Sequence, residues 1–263
     1  MAEVEGPLEG RRQLAAYYDR LADVYGEGEV FATRRAVVLG AMAAELGGAQ
    51  AILDLGCGNG SYAAEFAQRA PAARLVGADL SADMLHGARR RVGGRMSLVR
   101  ADAAALPFAA DSFDLIFMSH VLQLIANVEG CIAEIATCLG ADGVLIATVG
   151  VSGWRETIGR LLGPEALREL FAQVAPPRAS AATDDESRVA AACAAAGLQP
   201  TWRQAAFSVA WPAVEEWVRI RWLSIAADPL RARAEGWLAE LRRSAAGLTF
   251  DIPETLLVAR RSC

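Results

Sequence analysis

The sequence predicts an α/β fold in which a doubly wound, seven-stranded sheet carries helices on both faces. The first indication is the apolar run 52–55, which includes one acid and ends in alternating glycines, as a buried parallel strand does where it turns into a helix. The second is repetition, because predicted strands at 74–79 and 96–101 also end at or beside an aspartate. Parallel strands bring their carboxyl ends to one edge of a sheet, so we expect these acids to lie there together.

The remaining elements continue this alternation. Apolar periodicity predicts helices at 13–25, 30–46, 61–69, 127–139 and 184–196, and strands ending at 118 and covering 143–149, 199–210 and 254–260. We therefore divide the chain into an N-terminal helical cap (1–48), a core (49–150, continued at 183–210), two helical lid insertions (151–182 and 211–250) and a final core strand (251–263).

Composition limits the classes of function. The 263 residues carry a net charge of −5, which argues against a nucleic acid partner. No apolar run reaches the roughly 18 residues of a membrane helix, and the first residues lack the features of a signal peptide. The five cysteines form no CxxC pair, so neither a disulfide framework nor a zinc site is indicated. We expect a cytoplasmic protein, a monomer or homodimer, with no membrane partner.

The loop after the first strand is the strongest motif. Glycines at Gly56, Gly58 and Gly60 leave the backbone bare, as a ligand that touches the main chain requires. The dinucleotide fingerprint Gly-x-Gly-x-x-Gly would need a glycine at Ser61, so the spacing argues against a nicotinamide enzyme. A tight turn without a ligand is the alternative.

An acid at the end of the second strand complements this loop. Asp79 follows Gly58 by 21 residues, the spacing at which one βαβ unit brings a carboxylate beside the loop to accept ribose hydroxyls. Asp79 could instead cap the next helix, but Ser81 already suits that position.

Together these motifs resemble those of class I S-adenosylmethionine-dependent methyltransferases. Asp54 and the glycine loop match the first motif, and the segment 79–85 matches the second. The segment 102–125 resembles the subgroup of ubiquinone and menaquinone C-methyltransferases and natural-product methyltransferases. The resemblance implies a Rossmann-like sheet with an antiparallel last strand, S-adenosylmethionine as cofactor and S-adenosylhomocysteine as product. The implied cofactor-binding residues are Tyr18, Asp54, Gly56, Cys57, Gly58, Gly60, Asp79, Leu80, Met84, Asp102, Ala103 and Ser119.

Two of these positions have specific expected roles. The resemblance implies that Asp102 binds the adenine amino group and that the Ala103 amide reaches a ring nitrogen. The run 18–25 resembles a leader segment in which a tyrosine closes over the cofactor, and we assign this to Tyr18. Packing of the aromatic stripe against the core is the alternative.

His120 is the candidate catalytic residue. It follows the fourth strand at the ligand edge, where a neutral imidazole could take a proton from the acceptor. Packing on the methionine part of the cofactor is the competing role. No metal is expected, because residues 150–154 after the fifth strand supply none of the acids that a magnesium-dependent site would need.

The acceptor is expected beneath the lid insertions, which contain tryptophans and arginines. Within 217–222 the helical spacing predicts Trp217 and Arg221 on one face, with Trp222 and Arg219 on another. Core packing with solvated arginines is one interpretation, and an aromatic pocket with an arginine for an anionic substrate is the other. The candidate substrate-binding residues are Tyr25, Trp154, Trp217, Arg221 and Trp222.

These observations predict a methyltransferase that acts on a small organic acceptor, aromatic or a secondary metabolite. The alternatives are a protein that binds S-adenosylmethionine without transferring a methyl group, and a methyltransferase for RNA or protein.

Overall fold

A computed structural model describes residues 7–149, 159–161, 163–176 and 186–261. Its helices are α1 (Pro7–Asp19), α2 (Glu29–Ala41), α3 (Ala43–Gly48), α4 (Ser61–Arg69), α5 (Ala82–Val92), α6 (Val128–Cys138), α7 (Pro164–Val174), α8 (Glu186–Ala195), α9 (Trp211–Val218) and α10 (Asp228–Ser244). Its strands are β1 (Ala51–Leu55), β2 (Arg74–Asp79), β3 (Met96–Arg100), β4 (Phe113–Ser119), β5 (Leu139–Val149), β6 (Leu198–Ala210) and β7 (Thr249–Arg261). None of the described helices is both long and apolar enough to cross a membrane.

The strands form one sheet in the order β3-β2-β1-β4-β5-β7-β6. Strands β1 to β5 pair in parallel, whereas β7 runs antiparallel to both of its neighbours, β5 and β6. The order reverses at β1, which places the carboxyl ends of β1 and β4 beside a topological switch point, the usual ligand position in such sheets. The predicted doubly wound sheet with an antiparallel last strand is confirmed.

Helices cover both faces because neighbouring strand residues point to opposite sides. Leu53 and Ile116 belong to a core shared with α6 and α8, and Ile52 and Leu115 to a core shared with α2, α3 and α4. Asp114 lies at the opposite end of β4, where its carboxylate accepts the amides of Gln50 and Ala51 at 2.8 Å.

A third core joins the C-terminal helices to the start of α2. Trp211, Trp217 and Trp222 pack there with Val30 and Phe31. This cluster shows that the helices between β6 and β7 pack against the start of α2, beside the sheet rather than within it.

Some element boundaries differ from the prediction. The first helix ends at Asp19, not at Tyr25, because Asp19 accepts the Ser81 hydroxyl at 2.5 Å and the chain then turns towards Gly26 and Gly28, both with positive φ. The second helix breaks at Met42. Strand β7 begins at Thr249, since its pairing with β6 extends to Ala210.

Candidate active site

The glycine loop has backbone angles that side chains rarely adopt. The φ angles of Gly56, Gly58 and Gly60 are 75°, 53° and 80°. A side-chain carbon at Gly56 would lie 2.3 Å from Val121 Cγ2, and one at Gly60 would lie 3.1 Å from Ala88 Cα. A side-chain carbon at Gly58 would lie 3.8 Å from Met84 Sδ and 3.9 Å from Tyr25 Cδ1, which is ordinary van der Waals contact. Thus close packing excludes a side chain at Gly56 and leaves little space for one at Gly60, whereas at Gly58 the positive φ alone disfavours it.

Asp79 holds this loop in place. Its Oδ2 accepts the Gly58 amide at 2.8 Å and its Oδ1 accepts the Ser81 amide at 2.9 Å. Burial raises the pKa of Asp79, and the backbone amides oppose that rise. Each carboxylate oxygen keeps a second lone pair, so ribose hydroxyls could still donate to it. Leu80 and the buried Met84 lie on either side of Ser81, whose side chain caps α5 by accepting the Met84 amide, as predicted.

Asp54, just before the loop, is a buried acid. Its Oδ2 has no hydrogen-bond partner within the described ranges. Burial and the nearby charge of Asp79 raise the pKa of Asp54 to about 8. This carboxyl is therefore largely protonated at neutral pH in the free protein, and a cation placed beside it would favour ionisation.

Asp102 lies at the carboxyl end of β3 and is held by a residue that sequence reasoning did not identify. Arg11 Nε lies 2.7 Å from Asp102 Oδ2, and the Ala104 amide donates to Oδ1 at 2.9 Å. The neighbouring Ala103 is buried. Because Arg11 belongs to α1, this helix covers Asp102. An adenine amino group bound to Asp102 would share or displace the Arg11 contact.

A narrow crevice brings several predicted residues together. It is lined by Tyr25, Asp54, Gly56, Cys57, Gly58 and Ser119, all of which are candidates from the sequence, and by Phe31, Arg34, Arg35, Ser61 and Tyr62, which are not. Burial raises the pKa of the Cys57 thiol, which keeps it neutral. Tyr18 stands edge-on to Tyr25 with ring centroids 5.7 Å apart.

His120 joins a buried charged cluster at the end of β4. Its φ is 56°, a left-handed conformation that costs a non-glycine residue about 1–3 kcal/mol and often occurs at functional sites. The His120 amide donates to Thr148 Oγ1 at 2.8 Å, which helps to hold this conformation. His120 Nε2 lies 3.2 Å from Glu254 Oε2, and Arg34 Nε lies 3.1 Å from Glu254 Oε1.

Glu254 is ionised in this cluster. Burial opposes the ionisation of Glu254, but its interactions with His120 and with the Arg34 guanidinium outweigh burial and lower the pKa of Glu254. Sequence reasoning missed Glu254 and Arg34, since nothing local marks either residue. The one available signal concerned Glu254. It begins the predicted last strand, and an antiparallel strand begins at the ligand edge of the sheet.

The C-terminal candidates differ in arrangement from the prediction. Residues Arg219–Leu223 form a π-helix, whose wider turn brings positions i and i+5 together. Trp217 and Trp222 therefore contact each other, with ring centroids 4.7 Å apart, and the expected separation onto two faces is wrong. The expectation that both arginines are solvated is wrong for Arg221, which is buried, while Arg219 pairs with Glu215. Trp154 lies outside the described residues.

The residues of this edge fit S-adenosylmethionine. Gly58 leaves bare backbone at the crevice, and the Asp54 oxygen, which has no partner among the described residues, suits a cationic group. Asp79 at the end of β2 and Asp102 at the end of β3 offer carboxylate oxygens farther along the same edge. These donors and acceptors match a ligand with a positive end, a sugar and a base.

Comparisons with known proteins agree with this arrangement. Residues 53–147 match a family model described as a methyltransferase domain. The chain is 30% identical over 228 residues to a trans-aconitate 2-methyltransferase of Acidovorax ebreus. This match covers 80% of this chain and 86% of that protein. It is 36% identical over 121 residues to a malonyl-[acyl-carrier protein] O-methyltransferase of Legionella pneumophila, a match that covers 45% of this chain and only 38% of that protein.

A solved structure shows the same fold. The YcgJ protein from Bacillus subtilis aligns with a TM-score of 0.60 at 18% identity, over 86% of this chain and 99% of that one. The glycine loop, the acids at the strand ends and the near full-length relative point to one conclusion. The chain belongs to the class I S-adenosylmethionine-dependent methyltransferases.

Proposed function

We propose that the protein transfers the methyl group of S-adenosylmethionine to a small organic acceptor, aromatic or a secondary metabolite. The observation that carries this proposal is the buried pair of His120 and Glu254 at the end of β4, next to a crevice lined by Asp54 and the glycine loop. The relative that matches over most of its length supports a small acceptor, since its name specifies trans-aconitate.

The chain's own residues would hold the donor along the strand edge. Gly58 offers backbone and Asp54 a buried carboxyl near the methionine part, Asp79 a carboxylate for the ribose, and Asp102 one for the adenine. Bound S-adenosylmethionine supplies a methyl group on a sulfonium sulfur, which is already activated, so the protein's main tasks are to orient the acceptor and exclude water. Tyr25, a wall of the crevice, serves the second task.

His120 is the proposed base. If its Nε2–H is donated to Glu254, the lone pair lies on Nδ1, which faces Gln123 Nε2 at 3.3 Å. An acceptor with a hydroxyl or amine would take the place of this amide and pass its proton to Nδ1. The Glu254 carboxylate would then stabilise the imidazolium, as the orienting acid of a base does.

The proposal is tested in two steps. Calorimetry with S-adenosylmethionine and S-adenosylhomocysteine measures donor binding, and transfer of a labelled methyl group to a panel of small acids, phenols and amines measures activity. Binding of both nucleosides with transfer to at least one acceptor is the expected result. Binding without transfer to any acceptor favours a module that only binds the donor, and transfer to RNA or protein alone favours the macromolecular alternative.

A second histidine in the chain provides a control for the substitution of His120. His120→Ala should lower kcat by about 10²–10⁴-fold, the usual contribution of a general base, with little change in donor affinity. Glu254→Gln should lower kcat by a smaller factor. His86→Ala is the matched control, because His86 is exposed on α5 and pairs only with Asp83 among the described residues. An undiminished rate in His120→Ala removes this residue as the base.

A further inference from the structure

Arg221 is a buried cation within an aromatic cage. Its guanidinium carbon lies 5.3 Å, 5.7 Å and 5.2 Å from the ring centroids of Tyr17, Tyr18 and Tyr25. Arg221 Nη1 donates to the Tyr17 hydroxyl at 2.8 Å, and that hydroxyl donates to the Val174 carbonyl at 2.7 Å. The cage joins the C-terminal helices to the N-terminal tyrosines.

The guanidinium lacks an anionic partner in the described part of the chain. A buried arginine is normally paired with a carboxylate, because an unpaired charge away from water is costly. Arg34, which is also buried, shows the usual arrangement, since it pairs with Glu254. The Arg221 guanidinium makes only one hydrogen bond to a described residue, the one to the Tyr17 hydroxyl, although a guanidinium carries several N–H donors.

The tyrosines cannot replace that anion. Burial raises the pKa of Tyr17 against the opposing effect of Arg221, and burial raises the pKa of Tyr18 well above its usual range. Both phenols are therefore neutral at physiological pH. They stabilise the cation through their ring faces and leave its charge uncompensated.

The cage shares a wall with the crevice. Tyr25 lines the crevice beside the glycine loop and also stacks on the guanidinium. Arg221 lies in the π-helical segment Arg219–Leu223, an irregularity that is rare and frequently found at functional sites. An acceptor could thus place one group in the crevice and another against Arg221.

We propose that Arg221 and the tyrosines Tyr17, Tyr18 and Tyr25 bind a carboxylate of the methyl acceptor, so that the substrate is a small carboxylic acid. This inference rests on the proposed function. A planar carboxylate matches the guanidinium fork, and its single charge balances that of Arg221, whereas a dianionic phosphate would leave a buried charge uncompensated. The methionine end of S-adenosylmethionine also carries a carboxylate, so the experiment must separate the two sources.

The experiment measures binding of matched acids and amides to the full chain saturated with S-adenosylhomocysteine. The probes are benzoate against benzamide, phenylacetate against phenylacetamide, and succinate against succinamide. At least one acid should bind about tenfold or more tightly than its amide. Arg221→Gln should abolish this preference, and Arg221→Lys should keep part of it. The control Arg219→Gln, which removes a neighbouring arginine outside the cage, should keep all of it.

The affinity for S-adenosylhomocysteine decides which carboxylate is bound. The affinity for S-adenosylhomocysteine should change by less than about twofold in Arg221→Gln. If this affinity instead falls by the same factor as the affinity for the acids, the guanidinium binds the cofactor and the proposal is overturned. Equal binding of acids and amides to the unaltered protein, or no binding of any acid, also overturns it. If Arg221→Gln does not fold, the acid–amide comparison and Arg221→Lys still decide. Failure of S-adenosylhomocysteine to bind contradicts the proposed function instead.

Discussion

Replacement of Asp54 by asparagine should remove a large pH dependence of stability. The pKa of Asp54 is raised in the folded protein from 3.8 to about 8, so its stabilising contribution is present in full below about pH 4 and is lost as the pH rises to 8. The interval from the unfolded pKa of 3.8 to pH 7 is roughly 3 pH units at about 1.4 kcal/mol each, so by pH 7 the unliganded protein has lost up to about 4 kcal/mol of this contribution. Asparagine has nearly the same shape as the protonated Asp54 carboxyl and cannot ionise, so the variant does not have this cost.

Urea unfolding at pH 5, 6.5 and 8 measures this effect. The free energy of unfolding of the unaltered protein should fall relative to that of Asp54→Asn as the pH rises, and the variant should be the more stable protein at pH 8. Titrating groups far from Asp54 are common to both proteins and cancel in the difference, whereas Asp79, whose charge raises the pKa of Asp54, is coupled to it. If the two proteins show parallel pH profiles, Asp54 is ionised in the free protein and the reasoning fails.

The same titration couples to the cofactor. A sulfonium cation beside Asp54 favours the carboxylate, so binding should release a proton, and affinity for S-adenosylmethionine should rise by up to about tenfold per pH unit between pH 6 and 8. Calorimetry in two buffers of different ionisation enthalpy counts the proton. S-adenosylhomocysteine, which has no sulfonium charge, should show a shallower dependence, and Asp54→Asn should show none.

Two further substitutions test the loop. Asp79→Ala should weaken S-adenosylmethionine binding by about 1–3 kcal/mol, as expected when a charged acceptor is removed, and unchanged affinity in calorimetry would contradict its assignment to the ribose. Gly56→Ala should lower the melting temperature and abolish donor binding, because its Cβ would meet Val121 at 2.3 Å and its φ is positive. Gly94→Ala is the control, since no atom lies within 4 Å of its Cβ position, and an equal effect of both substitutions would refute the steric argument.

The sequence was sufficient for the sheet, the glycine loop and the position of acids at the strand ends. Strand ends, the loop at Gly56–Gly60 and the cap at Ser81 are local features, because each depends on hydrophobic periodicity or on the backbone angles that one residue allows. Their spacing also predicted that Asp79 would reach Gly58, and the contact is present at 2.8 Å. The end of α1 was not predictable in this way, since its anchor at Ser81 is distant in the chain.

The rest of the site depends on contacts between distant segments. Glu254 meets His120 across 134 residues because β7 inserts antiparallel beside β5, and Arg221 meets Tyr17 across 204 residues because the C-terminal helices pack on the N-terminal ones. A carboxylate or guanidinium looks the same in the sequence whether it is solvated or buried. Thus the local chemistry of the chain determined that a glycine loop and carboxylates meet at one edge of the sheet, whereas only the packing of remote elements decided which charges are desolvated beside that edge, and desolvation is what gives those charges their strength.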